Sequence, residues 1–311
     1  MISVLTKESL VKGRPVRFQC LEIAGQTYVR SRGLATAIRL EDEWYEDVPD
    51  PHAIVADLRH SPVGVDLFTF WQRLPDTEPR FPFYREWEGI AVLPVKSFDH
   101  WWNKQIKSRT RNLIRKAEKA GIEVREATFD DRFVRGMTDI FNETPVRQGR
   151  RFWHYGKGFE TVKRQFSRYL YREDLIAAYY RGDVIGFVML GNAGRFGVTG
   201  QVISKIQHRD KAINNALIAK TVEVCERRNF PYLVYLHWGD GSLAEFKRRC
   251  GFAEVRVPRY WVPLTARGEL VLRLGLHRPW RELLPRPLTT RLKTLRSRWL
   301  GDDRERAACP E

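Results

Sequence analysis

A short cationic segment at a strand-to-helix junction has the chemistry to bind phosphate. Arg209 and Lys211 stand where a predicted strand over 197–206 ends and a predicted helix over 212–228 begins. The first N–H groups of a helix have no partners within the helix and carry the positive end of its dipole, so anions bind there. An arginine adds two parallel hydrogen bonds to a phosphate. The segment therefore predicts a phosphate site, the alternative being two cations solvated at a helix start.

A loop over residues 147–155 mixes cations with aromatic rings. It follows neither the helical nor the strand period, and its three arginines are interleaved with Phe, Trp, His and Tyr. Such a mixture suits a planar or phosphorylated acceptor, bound by ion pairing and stacking. An aromatic cluster beneath a surface loop is the alternative. The predicted substrate-binding residues are Arg147, Arg150, Trp153, His154 and Tyr155.

The composition is that of a basic globular protein. The 311 residues include 54 Lys and Arg against 38 Asp and Glu, a formal net charge of +16. Such a field attracts nucleic acid, the phosphates of coenzyme A or anionic lipid headgroups, although a solvated basic surface would carry the same charge. The N-terminal sequence lacks the apolar segment of a signal peptide, and no apolar run reaches the ~20 residues that span a bilayer. We expect a cytoplasmic protein with no transmembrane segment.

The sequence lacks the motifs of several other enzyme classes. Its four cysteines are far apart and show no ligand spacing, so we expect no metal site and core thiols for Cys225 and Cys250. It also has no Walker loop, no Gly-x-Ser-x-Gly, no His-Glu-x-x-His and no dinucleotide-binding fingerprint.

The apolar periodicity predicts the elements that must position these residues. A hairpin about Gly25, a short helix near 52–58 and two further strands occupy the first 95 residues. A long basic helix is predicted from Ser97 to Gly121, with a buried stripe. From residue 122 to 265 the predicted order is strand, two helices, three strands, helix, strand, helix, strand. The residues of the buried stripe are Trp102, Ile106, Leu113, Ala117 and Ala120.

The order of elements over 122–265 resembles that of the GNAT (N-acetyltransferase) superfamily. GNAT proteins bind the pyrophosphate of acyl-CoA at an Arg/Gln-x-x-Gly-x-Gly/Ala loop between a strand and a helix. The segment beginning at Arg209 has this register, with Ala212 and Asn214 in place of the glycines. The resemblance implies an α+β fold with a mixed central sheet flanked by helices, and acyl-CoA, above all acetyl-CoA, as co-substrate. It implies that this co-substrate contacts Arg209, Lys211, Ala212, Asn214 and Asn215.

A second GNAT pattern lies near the end of this domain. GNAT chains carry Asn-x-x-Ala-x-x-x-Tyr-x-x-x-Gly-Phe, and the segment from Asp240 to Phe252 keeps its spacing and its Gly-Phe pair. Lys247 occupies the position of the tyrosine, which in many members protonates the leaving thiolate. The resemblance therefore implies Lys247 as a candidate proton donor, or a reaction that needs no acid because a thiolate leaves readily.

The same resemblance implies where amide formation takes place. The reaction needs a deprotonated amine, an acyl donor held beside it and hydrogen bonds to the developing oxyanion. Glu143 stands where GNAT acceptors bind and is a candidate base, while His237 and Asp240 face the cleft of this fold. A helix cap, a surface carboxylate and a structural histidine are the alternatives. The strand residues implied as oxyanion donors are Val202, Ile203 and Ser204.

The segment SRTRNLIRKAEKAGIEV, within residues 100–128, is similar to the helix-to-strand segment of the Fem-type transferases. Those proteins consist of two GNAT-like halves, and several use aminoacyl-tRNA as donor. A solvated basic helix face gives a similar string of residues.

We therefore predict three units. Residues 1–96 form a small α/β unit that could be a reduced GNAT-like half, 97–265 form a GNAT-like acyltransferase domain, and 266–311 form a basic helical tail. The predicted function is transfer of an acyl group from acyl-CoA to an amine. Two alternatives stay open: a Fem-like transferase that uses aminoacyl-tRNA, and a non-catalytic module that binds nucleic acid or an anionic surface.

Overall fold

Twelve strands form one mixed sheet in the computed structural model, which describes residues 2–11, 14–31, 33–147 and 149–278. Along the sheet the spatial order is β1-β2-β3-β4-β5-β14-β6-β13-β12-β11-β10-β7, and β8 and β9 pair separately as a small hairpin. In chain order the strands are β1 Ile2–Val11, β2 Arg14–Ile23, β3 Gln26–Ser31, β4 Ala37–Leu40, β5 Leu67–Trp71, β6 Tyr84–Pro94, β7 Glu123–Ala127, β8 Val146–Arg147, β9 Arg150–Arg151, β10 Glu173–Tyr180, β11 Asp183–Asn192, β12 Gly197–Ser204, β13 Tyr232–His237 and β14 Ala253–Pro263.

Helices cover the faces of this sheet. They are α1 Pro51–Arg59, α2 Phe98–His100, α3 Ser108–Lys119, α4 Asp131–Asn142, α5 Phe159–Phe166, α6 Ile213–Arg227, α7 Gly241–Arg249 and α8 Ala266–Arg273. A π-helical turn covers Trp101–Gln105, and 3₁₀ turns cover Leu170–Arg172 and Ile206–Lys211. Among the described residues, no helix combines the length and the apolar composition needed to cross a bilayer.

The sheet consists of two halves that exchange a strand. β14, from the end of the described chain, lies between β5 and β6, and β6, from the N-terminal part, lies between β14 and β13. Each half is therefore completed by a strand that the other half contributes. The predicted division after residue 96 separates β6 from the strands that it joins, so the two parts share one sheet.

Each half contains one parallel strand pair bridged by a helix. β4 pairs with β5 only at Ala37 and Ile38, and β12 pairs with β13 only at Gly197 and Val198, as far as the described residues go. α1 connects the first pair and α6 the second. All other strand pairs of the sheet are antiparallel.

The core of the second half lies on both faces of its strands. α3 and α6 cover one face, where Ile114, Leu217 and Val222 are buried. α4 and α5 cover the other, where Phe141 and Val162 are buried. Each fully buried side chain of this size contributes roughly 1.5–3 kcal/mol, so this packing fixes α6 beside β12. The predicted helix at 212–228 and strand at 197–206 are confirmed.

The single long helix predicted from Ser97 to Gly121 is wrong. Ser97 does cap its start, but the chain is extended at Ile106 (φ −105°, ψ 147°) and a new helix begins at Ser108. The break has a physical reason, because Arg111 donates to the carbonyls of Trp102 and Ile106, both at 2.8 Å, which the interrupted helix leaves without amide partners. The stripe shifts accordingly: Trp101, Ile106, Thr110, Ile114 and Ala117 are buried, whereas Trp102, Leu113 and Ala120 are half-buried.

Smaller differences concern element ends. The second of the two helices predicted after residue 122 is α5, which ends at Phe166, and the turn of the β10–β11 hairpin lies at Arg181 and Gly182 (φ 52° and 89°). β1 and β4 were not predicted, and the predicted loop over 147–155 takes part in the β8–β9 hairpin. In the predicted tail, α8 is described, and residues 279–311 lie outside the described part of the chain.

Candidate active site

The strands β12 and β13 separate after a short contact and leave a cleft. Beyond Val198 and Val234, β12 continues to Ser204 with β11 on one side, and no described strand pairs with its other edge. Gly200 is the extra residue of a bulge, because Met189 pairs with Gln201 and Leu190 with Thr199. A bulge re-aims the backbone of a strand, and an unpaired edge offers free N–H and C=O groups. The predicted oxyanion donors Val202, Ile203 and Ser204 lie in this part of β12, and Gly200 lies nearer the point of separation.

The N-terminus of α6 follows the far end of β12, and its capping residue has a backbone conformation that glycine adopts readily. Ala212 adopts the left-handed conformation (φ 56°, ψ 34°) and caps α6 without a side-chain hydrogen bond. The left-handed conformation costs an L-residue about 1–2 kcal/mol relative to glycine. Alanine at position 212 therefore adds conformational strain and leaves the backbone conformation the same. Asn214 Oδ1 is enclosed and has no hydrogen-bond partner among the described residues. Asn215 is buried, with Nδ2 3.9 Å from Cys250 Sγ.

Cations exceed anions around this helix start. Arg209 is exposed, and the Lys211 ammonium lies 5.4 Å from the Tyr180 ring centre and 3.4 Å from Asp210 Oδ1. Burial, reinforced by the charge of Arg209, lowers the pKa of Arg147. The first turn of α6 contains no acidic residue. A helix N-terminus with nearby cations and no capping carboxylate can take a phosphate.

Glu143 supports the loop that leads to this helix. Its carboxylate accepts the N–H groups of Ile206 at 2.6 Å and Gln207 at 2.9 Å, and Arg147 Nη2 donates to it at 3.0 Å. Arg147 also donates to the carbonyls of Ile140 and Ser204. These bonds fix where β12 ends and the 3₁₀ turn begins. A role for Glu143 as general base stays a prediction, and its geometry favours positioning of the loop.

Lys247 binds the backbone at the end of β13, on the opposite side of the cleft from β12. It is 2% exposed, and its ammonium donates to the carbonyls of Tyr235 at 2.8 Å, His237, and Trp238 at 3.3 Å. β13 is irregular there, with Leu236 at φ 47°. Burial lowers the pKa of Lys247 to about 8. Proton donation by Lys247 stays a prediction, since each of its three N–H groups already has a carbonyl acceptor.

His237 and Asp240 lie at the mouth of the cleft on the β13 side. Both are exposed; the His237 ring meets the edge of Trp44 at 5.3 Å, and Asp240 precedes α7 without making a capping bond. Two glycines at positive φ, Gly239 and Gly241, flank Asp240. Both side chains can therefore reach an acceptor without giving up an existing hydrogen bond of the described structure.

The cationic aromatic loop divides into an inner and an outer set. His154 stacks on Phe141 with ring centres 4.5 Å apart, and burial, helped by the charge of Lys157, lowers the pKa of His154 to about 4. Arg147 also points inward and lies 5.0 Å from the Phe152 ring centre. The outer set is exposed to solvent and consists of Arg150, Trp153 and Tyr155.

No protein-family model and no curated protein matches the sequence. Solved structures do match the fold. The C-terminal domain (DUF2156) of a protein described as a lysylphosphatidylglycerol synthetase from Agrobacterium fabrum aligns over 86% of this chain and 87% of its own, at 10% identity and a TM-score of 0.56. FemX aligns over 87% and 90%, at 10% identity and a TM-score of 0.54. A conserved Bacteroides thetaiotaomicron protein of unknown function aligns over 79% and 86%, at 12% identity and a TM-score of 0.52. The chain has the GNAT fold.

The predicted α+β fold with a mixed sheet flanked by helices is confirmed. At sequence identities of 10% and 12% these matches support the fold alone and not a shared function. Cys225 and Cys250 are buried thiols, as expected.

The GNAT fold also brings together residues that the sequence did not single out. Tyr45, from the segment between β4 and α1, donates its hydroxyl proton to Glu173 Oε1 at 3.1 Å. The ring of Tyr45 occupies the space that a Cβ at Gly191 would fill. The Tyr45 hydroxyl and Glu173 Oε1 also lie within 4.0 Å of the position of a Cβ at Gly200, on β12. Gly191 and Gly200 lie inside strands rather than in turns. Tyr45 and Glu173 are 128 positions apart, so no local pattern indicates their contact.

Proposed function

We propose that this protein is an N-acyltransferase that binds its acyl donor in the cleft between β12 and β13. The observation that carries the proposal is the separation of these two strands beside an uncapped helix N-terminus. The cleft offers the free backbone edge of β12 to an extended donor, and the bulge at Gly200 turns backbone groups toward the reacting carbonyl. The α6 N-terminus supplies the positive end for the donor's phosphate.

Acyl-CoA is the donor that these features support best. Arg209, Lys211, Ala212, Asn214 and Asn215 would surround its pyrophosphate, with the cations adding formal charge to the first N–H groups of α6. The amine acceptor would enter between His237 and Asp240 on one side and the exposed residues of the aromatic loop on the other.

A second candidate function is transfer of an aminoacyl group from aminoacyl-tRNA. Two observations favour it: the exchange of strands between halves, and the likeness of the fold to FemX and to the lysylphosphatidylglycerol synthetase domain. The side chain of Asn214 at a position where GNAT loops carry glycine also leaves less room for a pyrophosphate. In this account residues 1–96 are a first GNAT-like half that no longer binds a donor, and the protein acts in the cytoplasm.

Ligand-dependent unfolding separates these candidates. Acetyl-CoA at 100 times its dissociation constant should stabilise the protein by about 2.7 kcal/mol, and acetylpantetheine, which lacks the phosphates, should not. Stabilisation by aminoacyl-tRNA but not by acetyl-CoA would favour the second candidate. A shift with uncharged tRNA that salt abolishes, without acyl transfer from either donor, would contradict both and leave a binding module.

A further inference from the structure

A phenol and a carboxylate from different halves meet beside the bulge of β12. Tyr45 precedes α1 in the first half, and Glu173 is the first residue of β10 in the second. The Tyr45 hydroxyl donates to Glu173 Oε1 at 3.1 Å. The contact joins the halves at the strand that we propose to hold the acyl group.

Two glycines define the space around this pair. A Cβ at Gly191 would lie 2.5 Å from Tyr45 Cε1, so the absence of a side chain admits the phenol ring. A Cβ at Gly200 would lie 3.7 Å from Glu173 Oε1 and 4.0 Å from the Tyr45 hydroxyl. Gly200 itself is exposed. Both polar groups therefore lie within van der Waals reach of a methyl group at Gly200, next to the bulge.

The segment that carries Tyr45 is fixed to the second half by further contacts. The Tyr45 ring stacks on Tyr169 with centres 5.3 Å apart, and Tyr169 donates its hydroxyl proton to Asp42. The Arg172 guanidinium lies 5.0 Å from the centre of the Tyr45 ring and 3.7 Å from Glu46. Tyr169 and Arg172 thus hold the phenol ring in place, and each of them also contacts a carboxylate of the segment that carries Tyr45.

The Glu173 carboxylate is suited to accept a proton. Its Oε2 is enclosed and has no hydrogen-bond partner within the described part of the chain. Burial raises the pKa of Glu173, opposed by the Tyr45 hydrogen bond and the charge of Arg172. A carboxylate whose pKa is raised by burial is a stronger base than an exposed one.

We propose that Glu173, held by Tyr45 above Gly200, takes the proton from the acceptor amine. The inference rests on the proposed acyl transfer. The acceptor ammonium gives one proton to the Glu173 carboxylate, and the resulting amine nitrogen attacks the acyl carbonyl carbon. The new C–N bond forms, the C–S bond of the thioester breaks, and the thiolate leaves with the electron pair. The second amine proton is lost to solvent as the thiolate is protonated, so the products are an amide and a free thiol.

Two small nucleophiles test this role directly. Methylamine is protonated at neutral pH and needs a base, whereas hydroxylamine is of similar size and is already neutral. Thiol release from acetyl-CoA should fall roughly 10²–10⁴-fold in Glu173→Gln with methylamine and stay within about threefold of the parent with hydroxylamine. Glu123→Gln, an exposed carboxylate on β7, is the matched control and should change neither rate.

The possible results distinguish a role of Glu173 as base from a purely structural role, and both from a failure of the proposed function. Equal losses with both nucleophiles would show that Glu173 only supports the fold, and an unchanged methylamine rate would show that another group takes the proton. A parent protein that releases thiol with neither nucleophile would contradict the proposed acyl transfer, and this inference with it. Gly200→Ala should raise the KM for methylamine while Gly64→Ala, which has open space around its Cβ, should not. An unchanged KM in Gly200→Ala would contradict the placement of the acceptor.

Discussion

The two halves contain the same parallel strand pair and bridging helix, but they treat the helix N-terminus in opposite ways. In the first half, Asp50 caps α1 by accepting the Ala53 N–H at 3.0 Å, and Pro51 occupies the first helical position, where it removes a donor. The Asp50 carboxylate and the missing N–H of Pro51 therefore disfavour an anion at this helix start.

In the second half the helix start has no side-chain cap and no acidic residue in its first turn. Ala212 cannot cap α6 with its side chain, and Arg209 and Lys211 stand before it where carboxylates would be favourable. The segment before α1 is instead used to build the contact with the second half, since Trp44 packs on Trp71 and against His237. This difference is what the proposed function expects if the second half binds the donor and the first half completes the site around it.

The largest effect is expected from removing the ammonium that shapes the donor-binding half. Lys247→Met leaves the carbonyls of Tyr235, His237 and Trp238 without their shared donor, so the free energy of unfolding should fall by about 3 kcal/mol. Denaturant unfolding measures the change. Lys220→Met, whose ammonium is partly exposed and pairs with Glu223, should cost less than about 0.5 kcal/mol. Equal costs for the two variants would contradict the role given to Lys247.

Acid sensitivity should arise in the second half, where His154 lies in the α4–α5 loop. Its pKa is about 4 in the folded protein against 6.5 for a free histidine. Between these values the unfolded chain binds a proton that the folded chain does not, so stability rises with pH across this window and is lost as pH falls through it. The loss should be about 2 kcal/mol and should be absent in His154→Phe. The measurement compares the unfolding free energies of both proteins at the two ends of the window, and parallel curves would contradict this origin.

The two cations before α6 should matter for the donor and not for the fold. Arg209→Ala combined with Lys211→Ala should weaken donor binding by about 2 kcal/mol, the scale of charge-assisted hydrogen bonds. Titration calorimetry with acetyl-CoA or aminoacyl-tRNA checks this. Arg59→Ala combined with Arg85→Ala, two exposed arginines within residues 1–96, is the control and should leave binding unchanged. A double variant that binds as tightly as the parent would contradict the site.

The smallest effects should distinguish the two helix starts themselves. Asp50→Ala should cost about 1 kcal/mol of stability without changing donor affinity. Ala212→Gly should stabilise the protein by up to about 1 kcal/mol because glycine adopts the left-handed conformation freely. Ala216→Gly, within the same helix, should instead cost about 1 kcal/mol. Thermal unfolding of the three variants measures whether each one raises or lowers stability. Destabilisation by Ala212→Gly would contradict the claim that Ala212 is strained.

Local patterns predicted the helix α6 and the strand β12 for a physical reason. α6 and β12 have strong periodicity, and the register from Arg209 to Asn214 depends on the junction between them, so residues close in sequence were sufficient. The helix predicted across Ile106 failed because its apolar stripe continues through the break, where Arg111 takes the freed carbonyls.

The rest of the site depends on contacts between distant residues. The insertion of β14 beside β5 pairs Arg259 with Trp71, almost two hundred positions away, and no periodicity encodes such a pairing. The same holds for Tyr45 and Glu173. Lys247 could be placed by the spacing of its motif, but its three carbonyl partners follow from the irregular end of β13, which the sequence does not indicate.

Hydrogen exchange with added donor tests the asymmetry of the two helix starts most directly. Peptides covering 205–217 and 43–55 are measured in the same sample, with and without acetyl-CoA or aminoacyl-tRNA. The account predicts slower exchange at the first amides of α6 and none of this change before or within the first turn of α1. Protection of 43–55 instead, or equal protection of both segments, would contradict the claim that the donor binds in the second half.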